Sequence, residues 1–144
     1  MKKLFVAFTA LVTIVLLANC TALNKSTVNV KRQWMLVEFQ NFSKDLMVKN
    51  KANLDFTNWT PENPKFSAKM GCNGMFGTAN FKENQMVEFS QIGSTMMYCD
   101  KNMELESAFG KALPMMKNYS IDGHFLTLSD SDGNKMKFVA ADWD

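Results

Sequence analysis

Short runs in which apolar and polar residues alternate dominate this chain, and a two-residue period is the mark of half-buried strands. Trp34 to Phe39 reads as an opening strand, with Leu54 to Phe56 and Lys65 to Met70 as two more. A loop from Asn58 to Pro64, carrying two prolines, separates the latter two. Phe76 to Phe81 and Met86 to Ile92 follow, joined through the turn Lys82-Glu83-Asn84-Gln85. Near the C-terminus, His124 to Leu128 and Lys135 to Val139 flank Asp130-Ser131-Asp132-Gly133-Asn134, which reads as a hairpin with glycine in its turn. One stretch breaks the period. Leu105, Ala108, Phe109 and Ala112 fall at helical spacing, with Glu104, Glu106 and Lys111 off the stripe, Asp100 placed to cap the start and Pro114 to stop it. The expectation is an α+β fold: a single compact domain over residues 33–144, with one short amphipathic helix on a mostly antiparallel sheet.

The N-terminus speaks to compartment. Lys2 and Lys3 precede an uncharged, mostly apolar run of 15 residues, Leu4 to Ala18. A membrane span needs roughly 20, so residues 1–19 read as a secretory signal peptide. Leu17-Ala18-Asn19-Cys20 resembles a bacterial lipobox, in which the cysteine becomes the lipid-modified first residue, although Asn19 departs from the small residue usual before it. The plain alternative is ordinary cleavage after Ala22, which removes Cys20. On the lipobox reading, Thr21 at the second position favours the outer membrane, periplasmic side, over inner-membrane retention. Residues 20–32 then form a lipidated N-terminus and polar tether. Losing Lys2 and Lys3 takes the 16 basic side chains to 14, equal to the 14 acidic ones. A neutral chain without a basic stretch has no electrostatic footprint for nucleic acid. With Cys20 used by the lipid, Cys72 and Cys99 remain in an oxidising compartment, where two thiols most simply form a disulfide.

Residues 71–77, GCNGMFG, invite a sharper reading. A Walker loop would end in Gly-Lys-Ser/Thr, and a dinucleotide loop would lead into a helix; this stretch does neither. It reads as a turn, with glycines supplying positive φ and Asn73 a residue that tolerates the left-handed region while its side chain bonds back to the chain. A nucleophilic Cys72 or Cys99 would need a base, and the sole histidine, His124, has no orienting group in view. Two cysteines and one histidine make a poor zinc site. Asp130 to Asn134 lacks the glutamate and helices of a calcium loop. Methionine is abundant: Met96-Met97 and Met115-Met116 are either adaptable core filling or the lining of an apolar groove, with a copper site a remoter reading. No catalytic residue, metal or cofactor is expected.

Gly71-Cys72-Asn73, Gly77, Gly93-Ser94-Thr95-Met96-Met97-Tyr98-Cys99 and Glu106-Ser107-Ala108-Phe109 occur in that order, followed by Tyr119 to Gly123, Leu126-Thr127-Leu128, Asp132-Gly133 and Phe138. The set resembles the META domain, the family of heat-inducible HslJ-like proteins, from Trp34 to Phe138. Gly71, Cys72, Asn73, Gly77, Ser94, Thr95 and Cys99 carry its most specific motifs. Met96 departs from it, standing where a basic residue is common, as does the pair Gly74-Met75. The resemblance implies strongly twisted antiparallel strands with one helix and no established catalytic site. It also implies association with heat or envelope stress, and a fold likened to pilotin lipoproteins.

The function expected is therefore non-enzymatic: an envelope lipoprotein held to the membrane by its N-terminal lipid, acting in stress tolerance or integrity through an unidentified envelope protein. The alternative is a pilotin-like module holding an apolar segment in a groove lined by Met96, Met97, Met115 and Met116.

Overall fold

The computed structural model describes residues 30–99 and 103–143. Eight strands form one antiparallel sheet: β1 (Gln33–Phe39), β2 (Asn53–Asp55), β3 (Lys65–Lys69), β4 (Gly74–Phe81), β5 (Val87–Ser94), β6 (Asn118–Asp122), β7 (Phe125–Ser129) and β8 (Lys135–Ala140). Helix α1 (Lys44–Lys49) joins β1 to β2. Helix α2 (Met103–Ala112), continued by the 3-10 turn Leu113–Met115, leads towards β6. The order across the sheet is β5-β4-β3-β2-β1-β8-β7-β6. The chain thus winds outward from β1 to one edge, crosses through α2, and returns from the other edge to pair β8 with β1.

The two edges meet. Met86 bridges Asn118, the Val87 amide donates to Lys117 O at 2.9 Å, and the Tyr119 amide donates to Gln85 O at 2.8 Å. The sheet therefore curls until its first and last strands touch at one corner. Closing a sheet removes edges that would otherwise recruit another chain. Two register shifts help the bend, at Leu36/Glu38 and at Phe76/Thr78. Gln91, opposite the second, takes a left-handed φ of 52°.

Alternation accounts for the filling. In β3, Phe66 and Ala68 face inward between exposed Lys65, Ser67 and Lys69. Trp34, Phe39, Phe56, Phe109 and Phe138 are fully enclosed, so the curled sheet holds a core of side chains. Each such ring contributes about 1.5–3 kcal/mol by leaving water. Helix α2 covers the end at which β1 finishes and β4 begins. Its Phe109 ring meets Phe39 edge to face at 6.1 Å, and Gly110 leaves space for Met75.

The structure corrects four expectations. Among the described residues there are two α-helices instead of one: Ser43 caps α1 by accepting from the Leu46 amide at 3.3 Å, and Asn50 closes it. Strand β6 was not anticipated. The domain begins before residue 33, because the buried Trp34 indole donates to Val30 O at 3.0 Å and Val30 is itself 2% exposed. A buried indole N–H needs an acceptor, and the residues expected as tether supply it. Finally, GCNGMFG is a bend over 71–73 followed directly by a strand. Of its glycines Gly71 alone has a positive φ, at 158°, while Asn73, Gly74 and Gly77 do not; the left-handed residues lie elsewhere, with Asn84 and Gln85 forming the β4–β5 turn. The signal peptide, Cys20 and Asp100 lie outside the described residues.

Gly77 is needed for space. A Cβ there would sit 2.8 Å from the Phe66 ring and 2.9 Å from Ser90 O, whereas one on Gly74 would meet nothing within 4 Å. We predict that Gly77→Ala costs about 1–3 kcal/mol in urea unfolding, as overpacking does. Gly74→Ala should stay within about 0.5 kcal/mol of the parent, as surface substitutions do.

Candidate functional site

Beyond the end of β5, the chain runs through Thr95 to Cys99 without regular structure, yet it is held at many points. Asn73, 2% exposed, is the hub. Its Oδ1 accepts from Thr95 Oγ1 and from the Met97 amide, both at 2.8 Å. Its Nδ2 donates to Met97 O at 3.1 Å and to Glu106 Oε1 at 2.8 Å. Its backbone amide donates to Glu106 Oε2 at 2.8 Å. Both donors and both lone pairs of the amide are thereby used. Thr95 adds a reciprocal pair with Gly74: its amide donates to Gly74 O at 3.0 Å, and its Oγ1 accepts from the Gly74 amide at 3.2 Å.

Glu106 is the residue that pattern reading misplaced. Expected off the apolar stripe of α2, it is 5% exposed beside Leu105 and Phe109. The ion pairs among the described residues are Arg32–Asp142 and Lys82–Glu88, so no described cation pairs with it. Two N–H groups of one asparagine satisfy its carboxyl group instead. Its place in the Glu106-Ser107-Ala108-Phe109 motif was the available signal, since a solvent-facing glutamate has no reason to belong to a specific motif.

Cys72 and Cys99 are joined by a disulfide, with Cα atoms 6.3 Å apart and a sequence separation of 27. Cys72 Sγ lies 3.7 Å from Met97 O, a contact without a hydrogen bond because a disulfide sulfur carries no proton. Closing a loop of this length contributes on the order of 3 kcal/mol by restricting the unfolded chain. Gly71 opens the bend and Ser94 ends β5 opposite Met75. Five of the seven motif residues, Gly71, Cys72, Asn73, Thr95 and Cys99, therefore lie in or beside one latch. Ser94 adjoins it, and Gly77 serves sheet packing.

The latch displays apolar side chains: Met96 is 96% exposed, Tyr98 86% and Met97 57%. Phe76 lies nearby on the outer face, its ring resting where Gly93 has no side chain. The four methionines do not form the expected groove. Met116 is core at 1% exposure, because the 3-10 turn rotates it inward while Met115 points out. Met115 borders a cleft of about 220 Å³ with Phe39, Gln40 and Lys135, and neither Met96 nor Met97 lines it.

Other candidates resolve into structure. Among the described residues no cluster of His, Cys, Asp or Glu is arranged to hold a metal. His124 sits at the β6–β7 turn, stacked on Trp143 at 4.9 Å, whereas Cys72 lies before β4 at the opposite end of the sheet. Asp130 uses its carboxylate on its own turn, accepting from the Asp132 and Asn134 amides and from Asn134 Nδ2. The Asn134 side chain, more than any other partner, holds that carboxyl below the ordinary aspartate range.

The META domain family model matches residues 26–143. The chain belongs to the META domain family. Its META domain is also similar in fold to a protein from Burkholderia xenovorans solved by NMR, with TM-score 0.61 and 18% identity over 78% of this chain and 83% of that one. A DUF4847 family protein from Bacteroides vulgatus, solved by crystallography, gives TM-score 0.56 and 14% identity over 81% and 97%. At such identities the likeness concerns fold alone. A search of curated protein sequences finds no match.

We predict that Asn73→Ala destabilises the META domain by about 2–4 kcal/mol, since it strips two N–H bonds to Glu106 down to one and unpairs the loop. Glu106→Gln should cost about 1–3 kcal/mol, because an amide NH₂ then faces an N–H. Thermal unfolding measures both. Asn73→Asp, which sets carboxylate against carboxylate, should be no milder than Asn73→Ala.

Proposed function

We propose that this protein is a non-enzymatic module of the bacterial envelope. On this reading it is anchored through lipid at Cys20 to the periplasmic side of the outer membrane, and it supports stress tolerance or integrity through contacts with other envelope components. The anchoring half rests on the sequence: Lys2 and Lys3, the apolar run to Ala18, and a cysteine placed where that run stops. The contact half rests on one observation. Asn73, Thr95, Glu106 and the Cys72–Cys99 bond engage one another and hold Met96, Met97 and Tyr98 out in solvent. Polar groups consumed in mutual hydrogen bonds are unavailable for chemistry, while a rigid apolar projection suits recognition.

The pilotin-like reading would need a groove for an apolar segment. The cleft beside Met115, about 220 Å³, is smaller than the roughly 300–1,000 Å³ typical of ligand sites. The open cleft of about 710 Å³ along α2 contains none of the four methionines expected to line a groove, its apolar Met103, Ala108 and Ala112 being interspersed with Glu104, Ser107 and Lys111. The displayed loop is the better basis for contact.

The test is complementation in the native host under heat or detergent challenge. A deletion strain should be rescued by the wild-type gene, but not by Cys20→Ser, which should also leave the membrane fraction. It should not be rescued by Met96→Ser with Met97→Ser, which should stay in that fraction. Rescue by both variants, or a wild-type protein found soluble with Leu23 as its N-terminus, would contradict the proposal.

A further inference from the structure

The end of the molecule that carries the latch combines an apolar tip with a basic surround. Helix α1, the β3–β4 bend and the loop after β5 gather there, because β1, β3 and β5 all finish at that end. Hydrogen bonds tie the three together: Asn50 Nδ2 donates to Met70 O at 2.9 Å, and Asn73 holds Thr95 and Met97. Met96, Met97 and Tyr98 project from this surface, with Val48 of α1 also 60% exposed. Around them, Lys44, Lys49, Lys51 and Lys69 are exposed, against two exposed carboxylates among the described residues nearby, Asp45 and, at the start of α2, Glu104.

The shape narrows the occupant. At 96% exposure Met96 stands out in solvent, and neither the cleft along α2 nor the cleft beside Met115 includes it. A projecting apolar tip needs something soft or hollow to enter. A lysine surround favours an anionic surface, and a tyrosine beside methionines suits the boundary between headgroups and acyl chains. Polybasic segments gain roughly fivefold in affinity for each lysine near such a membrane.

We infer that this end of the domain docks on anionic lipid headgroups, with Met96, Met97 and Tyr98 entering the interface and Lys49, Lys51 and Lys69 facing lipid phosphates. The inference rests on the contact reading proposed above and names anionic lipid as what this loop meets, but it stands apart from lipidation at Cys20. It is compatible with a tether, however: the chain enters at Val30, at the opposite end of the sheet. Ten residues, 20–29, reach at most about 35 Å, against about 26 Å for an eight-residue strand. An anchored domain can therefore turn its tip to the bilayer that holds it.

Vesicle sedimentation decides the matter, using the chain from residue 20 onward with Cys20→Ser, so that no acyl group contributes, and with the disulfide oxidised. The protein should partition onto vesicles of equal phosphatidylglycerol and phosphatidylcholine, and at least tenfold less onto phosphatidylcholine alone. Lys49→Glu with Lys69→Glu, or Met96→Ser with Met97→Ser, should each reduce partitioning about tenfold or more while thermal unfolding stays near that of the parent. Tyr98→Trp should give a blue-shifted emission on the anionic vesicles. Absence of partitioning, or partitioning that both double variants retain, overturns the inference. So does a dimer in ultracentrifugation, or a crosslinked protein partner in cells, that the methionine variant abolishes while anionic vesicles remain unbound.

Discussion

A buried carboxyl group with no cation beside it among the described residues must have its oxygens met by hydrogen-bond donors, and for Glu106 one residue supplies them. The backbone and side-chain nitrogens of Asn73 each approach an oxygen at 2.8 Å. This pairing fixes α2 against the β3–β4 bend, and most of the candidate site follows from it. With its nitrogens directed at Glu106, Asn73 presents its oxygen to Thr95 and Met97. The disulfide reinforces the same junction one residue away, and the loop between Thr95 and Cys99 is pinned near both ends. The apolar tip is thus a consequence of polar bonding beneath it.

The curled sheet makes that junction possible. Strands β5 and β6 touch only around Met86 and Asn118, so the connection between them must cross the open end of the sheet. Helix α2 makes the crossing with Leu105 and Phe109 turned inward, and Glu106, adjacent in sequence, comes to lie against Asn73. An apolar residue at 106 would leave one N–H of the Asn73 side-chain amide, and its backbone N–H, without acceptors. Burying such groups unpaired costs about 1–3 kcal/mol each. Packing and polar satisfaction therefore select the same helix orientation.

How much of this was readable from sequence depends on which force shaped each segment. Strands with alternating burial, such as Lys65–Lys69, announced themselves through the period of two. Strand β6 did not, because its buried face amounts to Tyr119 with Ile121 partly covered, among Asn118, Ser120 and Asp122. Helix α1 buries Met47 alone and depends on its Ser43 and Asn50 caps, too little apolar pattern for a stripe. The Cys72–Cys99 pairing was readable because the expected signal peptide and lipidated Cys20 left only these two cysteines to pair. Glu106 was not, since helical periodicity assigns a carboxylate to solvent and cannot register a distant asparagine that fits it. Met115 and Met116 show the same limit: adjacent and chemically identical, they are separated into surface and core by a single 3-10 turn.

The central claim is that a surface loop without regular structure is held rigid from below. Amide hydrogen exchange at Met97, followed by NMR under native conditions, addresses it most directly. The Met97 side chain is 57% exposed, yet its N–H donates to Asn73 Oδ1. The account predicts protection of that amide comparable to the neighbouring strand amides of β5, and its collapse in Asn73→Ala while the protection in β7 and β8 persists. Exchange at Met97 near the rate of an unstructured peptide in the oxidised wild-type protein would contradict it.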